Sequence, residues 1–520
     1  MSNVYQHGIL CNIKRLLSLE DRNVGSPTYG CFDRSYWHYK QTDFACARSQ
    51  EAVLTLAYIY SIPFKDNIYY KNPNIKEWIL AGIKFWTQIQ NKNGSFNEWY
   101  PDESSYVATA FSAFAISEAL IAINEKPEKE VIDALEKAAL YLKKRKERRV
   151  VNQEAGASAA LLNIYLLTKK RSFLEAFDEK KEEVLKGQHE EGWWEEYGSV
   201  DAGYLSWTLY YLTKIFQKTK DKKIRDAICK ALEFLDEISF KWTVGAEVTS
   251  RNTDYLAPLS FEYFKTEASK HLAAISRSKD IADLFSLDDR YLSYMAYCWL
   301  DASQYADKKV NFNNKNISKF FKGAGISIMR NKKQLIYSTK KGGAFKLKIG
   351  NYYYFDSGIL VRFGNRLCGS GFYSEKTSYT ETTSEGKLVV IDQKPLSFIS
   401  YSGIRILSKT LFKNRLLAQL LKEKLRSLLI MRKKLSKIGF KRTFTIQQDS
   451  IIITDQLYQL PKNSKIYLGE KYSFTFIPSS RYFILSELNQ KGKLEIENNE
   501  KTAIRIVRTI TEKGQRVKIK

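Results

Sequence analysis

The 520-residue chain carries 83 Lys and Arg against 57 Asp and Glu, a formal net charge of +26, with 44% hydrophobic and 14% aromatic residues. This composition excludes a disordered or collagen-like chain, and the length exceeds the roughly 250–300 residues at which one core stops growing, so two domains are expected. Six cysteines, at 11, 31, 46, 229, 298 and 368, lack CxxC spacing, which argues against a disulfide framework and a thiolate zinc site and fits a reducing cytoplasm.

The opening residues MSNVYQHGILCNIKRLLSLEDRN show neither an apolar h-region nor a small-residue cleavage site, so no secretory signal is read there. From Phe32 onward, loops rich in Gly, Asn, Trp and Glu alternate with helical patterns: FDRSYWHYKQTDFACARSQEAVLTLAYIY from Phe32, NGSFNEWYPDESSYVATAFSAFAISEAL from Asn93, NQEAGASAALLNIYLLT from Asn152, EGWWEEYGSVDAGYLSWTLYYLTKI from Glu191, and GAEVTSRNTDYLAPLSFEYF from Gly245. In each unit the helix after the loop is apolar and small, the pattern of a helix buried on all sides. The intervening helices, KEVIDALEKAALYLKKRKE and KKIRDAICKALEFLDEI, are amphipathic. An inner ring of buried helices within an outer ring of amphipathic ones predicts an α/α toroid of helical hairpins over residues 1–315, with the loops opening at one end. An open helical solenoid is the alternative.

After DKKVNFNNKNISK the periodicity becomes two. Short β-rich runs such as GISIMRNKKQLIYSTKKGGAFKLKI, KLVVIDQKPLSFISYS and RTFTIQQDSIIITDQLYQL predict an antiparallel β-sandwich over residues 316–520. A basic amphipathic helical insertion is expected at about residues 405–438. From Arg405 to Arg442 there are thirteen Lys or Arg and one acid, Glu423. Its leucine stripe and flanking cations predict docking on an anionic membrane surface or a membrane-bound assembly partner, or packing on the sandwich itself, so the chain is expected in the cytoplasm or peripheral on the inner membrane.

A strongly basic chain implies an acidic partner. Nucleic acid is disfavoured because the ring loops mix acids with bases, which leaves an acidic polysaccharide or an anionic membrane surface open as partner. Loop residues suited to holding a sugar are Arg34, Trp37, His38, Arg48, Glu51, Trp99, Glu154, Trp194, Glu196, Asp201 and Tyr204. Paired carboxylates among them would suit glycoside hydrolysis if they flank a cleft, whereas singly an acid at a loop-to-helix junction is more often a cap.

Toroid followed by sandwich is the layout of the heparinase II/III-like polysaccharide lyases, which this chain resembles. GAEVTSRNTDY resembles the segment of that family that carries its catalytic tyrosine, and AGISIMRNKKQLIYSTKKGGAFKLKIGNYYYFDSG resembles its strand, Gly-Gly, strand, Asp-Ser-Gly run. The resemblance implies β-elimination at a uronate, with Tyr255 as base and Arg251 and Asn252 neutralising the carboxylate; His189 and Tyr197 stand next in line as acid or base. Two departures stand out. Asp201 falls where the family places Asn or His, and no histidine follows His271, which also excludes a His-built metal site in the sandwich. No cofactor is expected.

QIQNKNGSFNEW at Gln88 and GQHEEGWWEEYG at Gly187 also resemble the Gln, Gly, Trp repeats of terpene cyclases and prenyltransferase β-subunits. The chain lacks a DxDD acid and a zinc-spaced Asp, Cys, His set, so these repeats are assigned to hairpin packing.

Overall fold

The computed structural model describes residues 3–147, 149–240, 243–251, 253, 255–268, 270–277, 284, 287–306, 316–374, 376–391, 434–470 and 488–520. Among them are thirteen α-helices: α1 (Val4–Leu19), α2 (Arg34–Trp37), α3 (Ala52–Ser61), α4 (Pro73–Gln88), α5 (Tyr106–Ile123), α6 (Lys129–Lys143), α7 (Val151–Thr168), α8 (Arg171–Lys186), α9 (Ala202–Thr219), α10 (Lys222–Ile238), α11 (Leu259–Tyr263), α12 (Lys270–Ser276) and α13 (Asp289–Ser303).

The odd-numbered helices from α3 to α13 each touch the next, and α13 touches α3, so the inner ring closes on itself. The even-numbered helices from α4 to α12 follow one another outside it, and α1 packs on α13. The fold is therefore an α/α toroid with six inner helices rather than an open solenoid. The sequence units had marked only five; the sixth is the hairpin ending in α13.

Composition explains the two rings. Helix α5 is long and apolar enough to cross a membrane by length and composition, yet it is buried between α3 and α7. Ala, Ser and Gly let these neighbours approach closely: a Cβ on Gly156 of α7 would lie 2.5 Å from the Phe111 ring of α5. Helix α10 buries Ile224, Ala227, Ile228, Ala231, Leu232 and Leu235 at helical spacing and turns its charged face outward.

The repeated Gln-Gly loops are hairpin clamps. Gln90 Nε2 donates to the carbonyls of Gly94 (3.2 Å) and Ala134 (2.8 Å), and Gln188 Nε2 does the same to Gly192 (2.8 Å) and Ala227 (2.9 Å). Each glycine has positive φ and lies against an outer-helix carbonyl, Lys137 for Gly94 and Lys230 for Gly192. Only glycine fits both the dihedral and the contact.

Toward the C-terminal ends of the inner helices the axis is filled by a buried ionic plug. Lys214 lies 3.0 Å from Glu118 and 2.9 Å from Asp301, while Lys218 donates to Glu118 and to Asn163. Burial opposes ionisation of Glu118, yet Lys214 and Lys218 hold its carboxyl far below the usual range.

The strands are β1 (Ile317–Phe321), β2 (Ile326–Arg330), β3 (Lys333–Ser338), β4 (Ala344–Ile349), β5 (Tyr352–Asp356), β6 (Leu360–Phe363), β7 (Arg366–Gly369), β8 (Ser378–Tyr379), β9 (Thr383–Ile391), β10 (Leu435–Ile446), β11 (Ile451–Tyr458), β12 (Ser464–Leu468), β13 (Gln490–Lys491), β14 (Leu494–Asn498), β15 (Ala503–Thr511) and β16 (Gly514–Ile519). They form a smaller sheet in the order β1-β2-β3-β4-β5-β13 and a larger one, β14-β12-β6-β7-β9-β10-β11-β15-β16, with β8 paired to β9. The smaller sheet is buried on both faces. Ile326, Ile328, Ile336 and Phe355 join the core of the toroid, whereas Leu335, Tyr337, Phe345 and Leu347 pack on Phe444, Ile451, Ile453 and Ile510 of the larger sheet.

Between the sheets lies a second ionic cluster. Arg442 of β10 reaches Asp356 (2.9 Å) and its cross-strand neighbour Asp455 (2.5 Å), and Arg508 of β15 reaches the same two carboxylates at 2.7 and 2.9 Å. Two cations and two anions balance, with several bonds to each carboxylate, as burial of charge demands. The Asp-Ser-Gly run at 356–358 thus serves the sandwich core.

This geometry corrects one expectation. Residues 405–433 of the basic segment, with the expected helical insertion, lie outside the described residues, but Leu435–Ile446 is strand β10, so positions 435–438 are strand instead of helix, and fully buried Arg442 belongs to the core instead of a docking surface.

Candidate active site at the toroid mouth

The inner helices point their N-termini the same way, and the loops preceding them touch one another in turn around one mouth. Within the loop before α3 Cys46 N donates to Asp33 (2.9 Å), and Ala47 N reaches the Asn97 carbonyl of the next loop (3.0 Å). Tyr106 OH donates to Glu154 (2.9 Å), and Asn152 N to Glu196 (3.0 Å). Ser250 Oγ donates to the Glu196 carbonyl (2.8 Å), and Arg251 N to Asp201 (2.8 Å). The ring rims of Tyr255, Tyr291 and Tyr294 then run back to Arg48, whose guanidinium lies 3.9 Å over Tyr294. Convergent helix N-termini make such a mouth favourable for anions.

The sandwich is tied to this rim from one side. Lys341 Nζ donates to the carbonyls of Glu247 and Thr249, Tyr373 OH to that of Val248 (3.2 Å), and Glu191 accepts the amides of Gly323 (2.8 Å) and Ala324 (3.0 Å). Burial pushes the Tyr373 phenol up to about 12.

One quadrant gathers most of the predicted catalytic residues. The Arg251 guanidinium lies 4.3 Å over the Tyr197 ring, Tyr197 lies 6.0 Å from Tyr204, and Tyr255 lies 5.3 Å from Tyr291. Burial pushes the Tyr204 phenol well up, with Tyr197, Arg251 and Tyr291 all close enough to act on it. Tyr255 and Arg251 are each 6% exposed. Asn252 lies outside the described residues. His189 sits elsewhere: it stacks on Trp193 at 4.3 Å, its Nδ1 accepts the Glu191 amide (3.1 Å), and it fills the space over Gly323 of the sandwich.

Asp201 turns its carboxylate into the protein. It caps α9 by accepting from Tyr204 N (3.1 Å) and also accepts from Arg251 N, which removes the repulsion that an anion at this position would present to a uronate. Burial, outweighing those hydrogen bonds, raises its pKa. Glu196 is fully buried; burial holds it well above the usual range, its Oε1 accepts from Asn152, and its Oε2 has no hydrogen-bond partner among the described residues.

The other predicted sugar contacts divide into rim and wall. His38 and Trp99 are exposed, with Trp99 stacked 3.7 Å under Arg290, and Arg34 lies 5.0 Å over Tyr39. Trp37 is half-buried and donates to the Leu19 carbonyl (2.7 Å). Trp194 is 0% exposed and donates to the Val184 carbonyl of α8 (2.7 Å), which makes it wall rather than contact surface. Glu51 is held by Arg48 (2.6 Å), Glu154 by Lys180 (2.7 Å), and Glu98 by Arg290 (2.8 Å). Each of these three carboxylates is committed to a cation, so none of the three is the free acid or base that glycoside hydrolysis needs. Arg290, Tyr291 and Tyr294 were missed by the sequence reading; the apolar helix YLSYMAYCWL after the acidic junction at Asp288 repeats the pattern of the other units.

No family model matches the chain, and no curated protein matches it. Among solved structures it is similar to the Streptomyces coelicolor A3 chondroitin AC lyase, crystallised in complex with chondroitin sulfate, at 8% identity and a TM-score of 0.50, covering 89% of this chain and 71% of that one. It is also similar to a heparan sulfate lyase from Pedobacter heparinus, at 8% identity and a TM-score of 0.38, covering 91% of this chain and 82% of that one. A β-L-arabinofuranosidase from Geobacillus stearothermophilus T6 follows at 10% identity and a TM-score of 0.37, covering 96% and 94%. The chain has the toroid-plus-sandwich fold of the polysaccharide lyases.

Proposed function

We propose that this protein acts on an acidic, uronate-bearing polysaccharide by β-elimination at the toroid mouth. The carrying observation is that Arg251 and Tyr255 leave one loop and meet the same patch of tyrosines, Tyr197, Tyr204 and Tyr291, at the N-terminal ends of inner helices. Arg251 neutralises the uronate carboxylate, which makes the adjacent C5 proton acidic. Tyr255, ionised as the phenolate, takes that proton; the electron pair forms the C4–C5 double bond, the C4–O4 bond breaks, and the phenol so formed returns the proton to O4 as the leaving sugar's hydroxyl, which restores the phenolate. The free thiols of Cys11, Cys31, Cys46, Cys229, Cys298 and Cys368 support a reducing compartment, and we place the activity in bacterial surface-polysaccharide metabolism on the cytoplasmic side.

Tyr255→Phe tests the reading. Loss of the ultraviolet absorbance of the unsaturated product with chondroitin sulfate binding retained is the expected result; undiminished product formation overturns the role of Tyr255. A second reading, a saccharide-binding scaffold without catalysis, is favoured by the near-complete burial of both Tyr255 and Arg251. It predicts binding by the wild-type chain with no unsaturated product from any uronate polymer.

A further inference from the structure

The larger sheet of the sandwich has a second face, turned away from the smaller sheet. Alternation along its strands assigns side chains to each face: Ile438, Phe440, Arg442 and Phe444 of β10 point inward, and Gly439, Lys441 and Thr443 point out. The outward positions of β9, β10, β11, β15 and β16 hold Lys387, Lys441, Arg505, Arg516 and Lys518 against one carboxylate, Glu385, which Lys441 already engages at 3.1 Å. A strip this one-sided is an electrostatic footprint for a polyanion.

The strip also contains a shaped groove. An open cavity of about 460 Å³ is lined by Lys376, Ser378, Glu385, Lys387, Gly439 and Tyr458, among others. In the sheet register Gly439 sits directly between Lys387 of β9 and Tyr458 of β11, so the missing side chain leaves a slot with an aromatic ring on one side and an ammonium on the other. The β9 and β11 backbones lie about 10 Å apart across β10, and the Tyr458 ring forms one wall, 3.5 Å from where a Cβ on Gly439 would stand. The register of β10 shifts between Leu435 and Gly439, a bulge that breaks the side-chain row at the same place. Tyr458 is 41% exposed, and its hydroxyl is held by Gln456 (2.9 Å), which orients the ring.

We infer that this groove is a binding site for acidic polysaccharide, separate from the toroid mouth, in which a sugar ring lies against Tyr458 while its carboxylate or sulfate meets Lys387 and Lys376. The choice of polyanion rests on the reading of the mouth given above and on the slot: a flat bilayer surface or a nucleic-acid backbone would use the cations but has no need of one aromatic wall beside a glycine. The site would hold a long chain while its neighbouring stretch enters the mouth.

The test uses the full chain, with chondroitin sulfate and alginate as probes and phosphatidylglycerol vesicles and duplex DNA as comparators. Lys376→Glu with Lys387→Glu is expected to weaken binding of at least one polysaccharide on the order of tenfold. Tyr458→Ala, which leaves charge unchanged, should weaken that polysaccharide severalfold without altering the comparators, and so should Gly439→Leu, which fills the slot. The proposal is overturned if the wild-type chain binds neither polysaccharide, if Tyr458→Ala and Gly439→Leu have no effect, or if vesicle and DNA binding fall in parallel with them. Tyr255→Phe should leave this binding intact, so the groove and the proposed chemistry fail or stand separately.

Discussion

Asp201 Oδ2 accepts the backbone amide of Arg251 at 2.8 Å while Asp201 Oδ1 accepts that of Tyr204, so the cap of α9 also sets where the Arg251 side chain begins. A single carboxylate therefore couples helix stability to the geometry of the site. Asp201→Ala removes a cap worth about 1 kcal/mol. It also strands a buried N–H at Arg251, a further loss of about 1–3 kcal/mol. Thermal unfolding should show a drop of that size, and Asp201→Asn, which keeps one accepting oxygen, should show a smaller one.

Glu196 offers a pH signature. Burial raises its folded pKa above its unfolded value, so the native state holds the proton longer, and stability falls as pH rises from the unfolded value toward the folded one. Glu196→Gln mimics the neutral acid. The substitution should raise the melting temperature at pH 8 and leave it nearly unchanged at pH 4; equal effects at both would show that folding does not change the pKa of Glu196.

The sandwich cluster carries the opposite sign. Burial alone would raise Asp356, but Arg442 and Arg508 outweigh it and hold the carboxyl below its ordinary value of 3.8. Its contribution is present above that unfolded value and is lost as pH falls through the depressed folded one. Arg442→Ala leaves Asp356 and Asp455 buried with half their partners, at a cost of about 3–5 kcal/mol. Urea unfolding at neutral pH reads that loss directly.

Gly94→Ala should be costly although it touches no charge. The residue has φ +85°, and a Cβ there would lie 2.2 Å from the Lys137 carbonyl oxygen. Left-handed strain alone is about 1–2 kcal/mol, and the contact adds to it. Gly198, also at positive φ (+97°) but facing open space, isolates the strain term; Gly198→Ala should lose less.

These residues show what the sequence made legible. The toroid follows from hydrophobic periodicity, since helices such as α5 and α10 declare their rings by composition alone. The sixth inner helix escaped because its loop lacks the Gly and Trp that mark the loops before α5 and α9, and with it went Arg290 and Tyr294. Arg442, Asp455 and Arg508 obey the period of two, yet their charge reads as outward-facing until strand register places them against one another and Asp356. Trp194 and Glu154 have the chemistry of sugar contacts, but only packing shows that one braces α8 and the other is spent on Lys180. Asp201 counted as a departure from the Asn or His of the family because residue type does not reveal where a carboxylate points.

The closed ring imposes an order on synthesis. Helix α1 is made before the ring, yet several of its partners come long after it: Asn3 donates to the carbonyl of Ser303, 300 residues on, Tyr5 reaches Glu262, and Arg15 pairs with Asp289. During translation the apolar face of α1, with Ile9, Ile13 and Leu16, lacks its packing partner α13 until the sixth hairpin is made. A chain truncated before α13 should therefore aggregate through the uncovered face of α1.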